Sequence, residues 1–405
     1  RTLGDLLRAI PLVKAEGAKG AEGAAVAVDG GLGIVDLADG GKVALARAAA
    51  VGPGVLEREF IVDVLKVDSS SAQWAYLVMA EALAARAAIE AAEGGRADFK
   101  YLLMDGSLYA KAIMLIHNLI LTKEFQTLYY VPEMISALYA LANMLKDAEA
   151  AGIKPVFVSK DSRFKVLKEY AAFEALKGKI DDYLVERGMQ WYSIIWLRRF
   201  RRSLLAWYKR LQHDYEASAA LGLLFKYSAA TDHAVLASMA PRAHTLPMIL
   251  GACDAYMAYK GLTTVPKLTR AVQERLEDSM MFSPRPDESL DEYLDMARAA
   301  LSALPKILFF YLKPAEGAEP LLIEIPVAGS RLFDGTSVKA FYPQADVGDV
   351  VALLLSQYRD SAHYNTWLWY AHEVASFRRL AEYAVYLKTM LGDAMARRVK
   401  MALGI

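Results

Sequence analysis

Two aspartates in this 405-residue sequence each end an apolar run and precede a glycine. Asp29 closes Ala24-Ala25-Val26-Ala27-Val28, and Asp105 closes Tyr101-Leu102-Leu103-Met104. Short apolar runs bounded by turn residues read as buried strands. A carboxylate at the tip of such a strand costs free energy unless something pairs with it. Two tips on neighbouring strands would bring two carboxylates together, and a divalent metal ion is the usual reason for that arrangement. Asp-Gly is also common turn chemistry. Each aspartate alone therefore reads first as the opening of a turn, and only the pair points to chemistry.

Helix geometry proposes a third carboxylate. Ala72 to Glu93 is rich in Ala and Leu and predicts a long helix ended by Gly94-Gly95. A short loop makes it antiparallel to the strand Phe99–Asp105. That strand spans about 20 Å at ~3.3 Å per residue. The same height on the helix takes about 13 residues at ~1.5 Å each. Counting back from Glu93 lands near Glu81, with Glu90 as the alternative closer to the helix end. Further along, His372 sits in Trp367-Leu368-Trp369-Tyr370-Ala371-His372-Glu373, and Tyr364 lies near the start of that helix. A histidine in so apolar a helix is more often a core residue than a ligand. Lys160 follows the buried strand Pro155–Ser159 and is placed either to contact phosphate or to sit in solvent. Asp161 and Asp232 read as caps of the helices that follow them.

The elements that must position these residues alternate between strand and helix, which predicts an α/β core. Residues 1–20 read as a helix and a Gly-rich break. Ala24 to about Val51 reads as a meander, with turns at Asp29-Gly30, Asp39-Gly40 and Gly40-Gly41, and Phe60–Val67 extends it. Ser107–Leu121 and Pro132–Ala151 read as helices. Residues 162–230 read as almost wholly helical. Ser283–Glu288 reads as a loop. Ile307–Leu312 and Leu321–Ile325 flank Pro314-Ala315-Glu316-Gly317 as strand, turn and strand, and 365–403 reads as helical.

Hydrophobic residues make up 55% of the chain, enough for a sizeable core. Its 47 basic and 47 acidic residues cancel, so bulk charge does not announce a nucleic-acid binder, and any basic surface is local. The single cysteine, Cys253, excludes an intramolecular disulfide and a cysteine-based zinc site. No apolar run reaches about 18 residues and no leader pattern is evident, so the expectation is a soluble, cytoplasmic protein without a membrane partner. Asn occurs only at 118, 143 and 365, and such scarcity of thermolabile amides suggests a thermophile.

The ordered set Val28-Asp29-Gly30-Gly31, the helix holding Glu81, Met104-Asp105-Gly106-Ser107-Leu108, Val158-Ser159-Lys160-Asp161-Ser162, Thr231-Asp232, Ile323-Glu324-Ile325-Pro326, Tyr364 and Ala371-His372-Glu373 resembles the archaeal and bacterial NurA nucleases. Gly31 stands where that family often has Ser, and Asn365 where it usually has Pro. The resemblance implies a single NurA-like domain over 1–405. Its mixed-sheet, RNase H-like core would span about 24–160 and 305–380, flanked by helices, with a helical insertion at about 162–300. It implies a nuclease dependent on Mn²⁺, with Mg²⁺ as the substitute. Such an enzyme cuts single-stranded DNA internally and degrades single- and double-stranded DNA from 5′ ends. It further implies a homodimer docked on the hexameric DNA translocase HerA during end resection at double-strand breaks, in repair by homologous recombination. Asp29 and Asp105 match the family's metal-binding aspartates, Glu81 its helical glutamate, and Tyr364 and His372 its C-terminal pair. On this basis Asp29 would bridge two metal ions, Glu81 and Asp105 would complete the sites, His372 would bind metal or assist the leaving group, and Tyr364 would position phosphate or water. Other readings of the same residues are a catalytically weak translocase adaptor, or an RNase H-fold enzyme acting on RNA or branched DNA.

Two surface features complete the reading. The amphipathic Thr2–Leu7 segment suits a partner or dimer interface. The densest basic run, Arg198-Arg199-Phe200-Arg201-Arg202 with Trp196, Trp207, Lys209 and Arg210 nearby, suits phosphates with bases stacked between, or an acidic protein partner. If it holds DNA, affinity measured by fluorescence anisotropy falls steeply with added salt; a flat response identifies a protein contact instead.

Overall fold

A computed structural model describes residues 10–15, 24–36, 42–65, 67–122, 124–167, 179, 209–226, 229–250, 261–282, 289–334, 340–341 and 344–377. Its strands are β1 (Leu12–Lys14), β2 (Ala25–Asp36), β3 (Lys42–Gly52), β4 (Val55–Leu65), β5 (Tyr101–Asp105), β6 (Lys154–Ser159), β7 (Ala243–Thr245), β8 (Met248–Leu250), β9 (Ile307–Lys313), β10 (Leu321–Pro326) and β11 (Ala340–Phe341). Its helices are α1 (Ser70–Glu93), α2 (Leu108–Ile120), α3 (Phe125–Leu128), α4 (Val131–Ala150), α5 (Tyr215–Lys226), α6 (Asp232–Leu236), α7 (Val265–Phe282), α8 (Leu290–Ala303), α9 (Gly348–Gln357) and α10 (Thr366–Ala375).

All the strands join one mixed sheet, with the order β1-β7-β9-β10-β6-β5-β2-β3-β4 and with β8 and β11 paired off it beside β9. β2, β3 and β4 form an antiparallel meander, and β5 and β6 follow as parallel neighbours on the other side of β2. The run β4-β3-β2-β5-β6 is the RNase H-like strand order. β10, β9, β7 and β1 extend it past β6, all antiparallel. The span 162–300, read as a helical insertion, also contributes β7 and β8 to this sheet.

Side chains alternate across a strand with period two, and the core divides accordingly. Val26, Val28, Leu102, Met104, Phe157, Phe309 and Tyr311 belong to the core under α1, α2, α4, α7 and α8. Ala25, Ala27, Tyr101, Leu103, Val156, Val158, Phe310 and Leu312 face the opposite way, toward α9 and α10. The sheet is thus covered on both faces, which explains why its central strands are nearly continuous apolar runs. α1 starts where the Ser69 hydroxyl accepts from Ala72 N–H at 3.3 Å. Its buried alanines, at 72, 75, 80, 82, 84, 85, 88 and 91, leave room for close approach to the sheet and to α4. Asn365 caps α10 by accepting from the N–H groups of Trp367 and Leu368 at 3.0 Å each.

Three expectations are corrected. Within 1–20 the described residues form no helix; Leu12–Lys14 gains a ladder with β7 that a short isolated helix could not match. Thr2–Leu7 lies outside the described residues. Asp29-Gly30 is not a turn: Asp29 pairs with Ala49 and Gly30 with Ala48, and β2 runs on to Asp36. The long β3 partner carries the strand through a pair of residues that elsewhere would reverse it. Asp232 does not cap its helix, because Thr231 does so with its hydroxyl. Asp232 is instead fully buried, accepting from Leu167 N–H and the Tyr311 hydroxyl.

Gly30 and Gly31 are where layers meet most closely. A Cβ on Gly31 would lie 2.4 Å from the Ala375 carbonyl oxygen at the end of α10. Backbone cannot swing aside as a side chain can, so Gly31→Ala should cost about 1–3 kcal/mol through overpacking. The check is a urea titration, with a lowered midpoint and an unchanged slope expected.

Candidate active site

The parallel pairing of β2 with β5 ends at Val28 opposite Met104. The next residues, Asp29 and Asp105, lie side by side at that boundary. β5 stops there because Gly106 turns the chain away at φ +83°, a conformation open to glycine. β2 continues, held by β3. Both aspartates point to the α10 face. His372 Nδ1 meets Asp29 Oδ2 at 2.7 Å, and the Tyr364 hydroxyl donates to Asp105 Oδ1. Asp29 Oδ1 accepts from Gly30 N–H at 2.7 Å. Arg47 of β3 pins the end of α10 by donating to the Ala375 and Ser376 carbonyls at 3.1 and 2.5 Å, which fixes where His372 sits.

Glu81 arrives from the other face. Gly30 has no side chain, and a Cβ there would lie 2.8 Å from Glu81 Cγ and 2.9 Å from Oε1. The absence of that one carbon brings the α1 carboxylate beside the two strand aspartates. Glu90 is exposed, and its charge acts on Glu59 of β4, away from the aspartates. Lys160 is exposed at the end of β6, with its ammonium 5.4 Å from the centre of the Tyr364 ring. It borders a cleft of about 820 Å³ that Arg163, His233, Lys313 and Glu319 also line. Arg198, Arg199, Arg201 and Arg202 lie outside the described residues.

Burial, and after it the charge of Asp105, pushes the Asp29 carboxyl up to about 6, against the pull of His372 and Gly30 N–H. Burial pushes Glu81 up to about 7, with Asp29 and Asp105 adding to the rise and Lys111 opposing it. Burial and the Asp105 charge hold the Tyr364 hydroxyl well above its ordinary range, so it stays a donor. Three carboxylates gathered in one place form a donor set suited to a hard divalent cation, and the imidazole of His372 stands beside it. As the side chains stand, no three His, Cys, Asp or Glu among the described residues converge on one point. The reason is visible: Glu81 is drawn toward Lys111, whose ammonium donates to Glu81 Oε2 and, at 2.7 Å, to the Asp105 carbonyl.

Lys111 and Glu324 are the two residues here to which sequence reasoning assigned no role. Each is a lone charge in an otherwise apolar element, a signal available in Tyr109-Ala110-Lys111-Ala112-Ile113 and Leu322-Ile323-Glu324-Ile325. Glu324 is fully buried and accepts from the Ser107 hydroxyl at 3.0 Å and Tyr109 N–H at 3.2 Å, anchoring the start of α2.

An α/β sheet of RNase H-like order, with carboxylates gathered where its parallel strands end, is therefore the framework of this protein. The NurA domain model matches residues 23–377, and the chain belongs to the NurA family. Among solved structures, the NurA nuclease from Sulfolobus solfataricus is 12% identical at a TM-score of 0.48, covering 94% of this chain and 86% of that one. NurA with manganese is 12% identical at 0.35, covering 95% and 91%. NurA bound to dAMP and manganese is 12% identical at 0.37, covering 94% and 89%. No curated protein matches. Among the described residues no helix is long and apolar enough to cross a membrane.

Burial raises Glu324 from 4.5 to about 7 in the folded protein, with the hydrogen bonds from the start of α2 opposing it. Between those two values the folded state holds a proton that the unfolded state has released, so stability contributed by the neutral acid is lost as pH rises. Urea midpoints should fall from pH 5 to pH 8, and Glu324→Gln should flatten that fall.

Proposed function

We propose that this protein is a divalent-metal-dependent deoxyribonuclease. The single observation that carries the reading is the meeting of Asp29, Asp105 and Glu81 with His372 and Tyr364 at the parallel-strand ends, in a chain of the NurA family. Asp29 and Asp105, with Glu81 beside them, would hold the metal. When bound, it supplies Lewis-acid polarisation of the phosphate and activation of water.

The chain's own residues account for the rest. Asp29 orients His372 through Nδ1, leaving Nε2 as the ring's other nitrogen on a side chain 62% exposed, placed to pass a proton to the leaving oxygen. Tyr364, kept protonated, fixes the Asp105 carboxylate by donating to it. Lys160 and Arg163 border the cleft beside Tyr364 and supply cations for a nucleic-acid strand running from the site. Manganese is the preferred metal, supported by the manganese-bound relatives. DNA is the preferred substrate, supported by the relative bound to dAMP. The proposal takes in exonucleolytic 5′–3′ degradation of single- and double-stranded DNA, endonucleolytic cutting of single strands, homodimerisation, docking on a HerA-type hexameric translocase, action in end resection and a cytoplasmic location, with membership of the NurA family as their support.

The test uses 5′-labelled single- and double-stranded DNA and RNA with Mn²⁺, Mg²⁺ or EDTA. Metal-dependent DNA cleavage is expected. In Asp29→Ala it should fall by about 10³-fold or more, the scale of several kcal/mol of lost charge stabilisation, with the unfolding midpoint retained. Cleavage persisting in that variant, or with EDTA, overturns the assignment.

A further inference from the structure

The short helix α6 ties together the walls of the cleft that Lys160 borders. It holds the chain that follows β6: Asp232 N–H donates to the Phe164 carbonyl at 2.7 Å, and the Asp232 carboxylate accepts from Leu167 N–H at 3.1 Å. Its far end receives β9, where Lys313 Nζ donates to the Ala237 carbonyl at 2.7 Å. Between these anchors, His233 reaches both walls at once. Its Nδ1 meets the Ser162 carbonyl oxygen at 3.0 Å, and its Nε2 meets the Pro320 carbonyl oxygen. Ser162 belongs to the segment that carries Lys160 and Arg163, and Pro320 lies in the turn between β9 and β10.

A carbonyl oxygen has no proton to give. A neutral imidazole donates from one nitrogen and presents a lone pair at the other. Either neutral tautomer therefore satisfies one wall and sets a lone pair against the oxygen of the other. The imidazolium donates to both. Tyr311 packs edge-to-face on the ring, with centroids 5.5 Å apart, and so supports it between the two carbonyls. Among the described groups around the ring, Lys160, Arg163 and Lys313 oppose a further cation, whereas Asp161, Glu319 and the buried Asp232 favour one. The Tyr311 phenol, held well above its ordinary range by burial and then by the Asp232 charge, stays neutral. Phosphates entering the cleft would tip this balance toward the cation.

We infer that His233 is a proton-dependent clamp on the cleft: as the imidazolium it joins the Lys160–Arg163 segment to the β9–β10 turn and strengthens the hold on a DNA strand, and on losing its proton it releases one wall. This rests on the reading of the cleft as the path of that strand. His233 is a positioning residue, acting through Lys160 and Arg163. Affinity for DNA is therefore highest while the ring is protonated and falls as pH rises through its titration.

The test is fluorescence anisotropy of labelled single-stranded DNA with the full chain in EDTA, which measures binding without turnover, at fixed ionic strength from about pH 5 to about pH 8. Asp29, Glu81 and Glu324 also titrate in this window, so the difference between wild type and His233→Gln isolates the clamp. The glutamine amide offers one donor nitrogen and carries no charge at any pH. At the acid end wild type should bind about tenfold more tightly than His233→Gln, the scale of one charge-assisted hydrogen bond, and the two should converge at the alkaline end. The same pH dependence in a folded His233→Gln overturns the inference. Independently of any variant, ¹⁵N spectra of wild type, with the His233 ring assigned by its contacts with the Tyr311 ring, should show both nitrogens protonated at about pH 6; one bare nitrogen there also overturns it. No DNA bound by wild type at any pH defeats the reading of the cleft as a DNA path, and this inference with it.

Discussion

Three carboxylates held in one poorly hydrated corner are the constraint around which this structure is arranged. Burial and the Asp105 charge push Asp29 up to about 6, and burial with both aspartates pushes Glu81 up to about 7. Such a cluster survives only where the surrounding fold over-determines it and cations or donors answer its charge. His372, Tyr364, Gly30 N–H and Lys111 provide that answer, each from a different element. Layer packing on both faces of the sheet keeps those elements in place.

The glycines do the complementary work of making space. At Gly30 a missing Cβ admits Glu81, and at Gly31 a missing Cβ admits the carbonyl end of α10. The two residues face opposite sides of the sheet because strand side chains alternate. One dipeptide therefore sets the approach of α1 on one face and of α10 on the other. The same geometry gives a physical reason for glycine at 31: the Ala375 carbonyl already occupies the space a side chain would need.

The arrangement also separates two kinds of electrostatic compensation. On the α10 face the partners of the aspartates are an imidazole ring and a phenol, and the ring stays open to solvent. On the α1 face the partner is a buried ammonium. The face with the exposed ring is open to an incoming cation, whereas the face answered by a buried lysine already holds one. This asymmetry is a property of the fold, since it depends on which side of the sheet each helix packs.

Much of this was legible in the residues alone. The alternation of strands and helices, the long Ala-rich helix, the two aspartates and the height of Glu81 along its helix follow from periodicity and from the rise per residue of helix and strand, which are local properties. Glu81 rather than Glu90 lies beside the strand aspartates for that reason. The reading of Asp29-Gly30 as a turn failed because β3 supplies a ladder that local turn preference cannot see. The reading of 1–20 as a helix failed at 12–14 because β7, some 230 residues away in sequence, offers an edge to pair with. Lys111 stood in the sequence as an odd charge in an apolar helix, but its partner is 30 residues away on another element. The sequence by itself determined which residue types carry charge and how they recur along each element. Only the tertiary structure decided which charges face one another across the sheet, because that depends on strand order and on which face each helix covers.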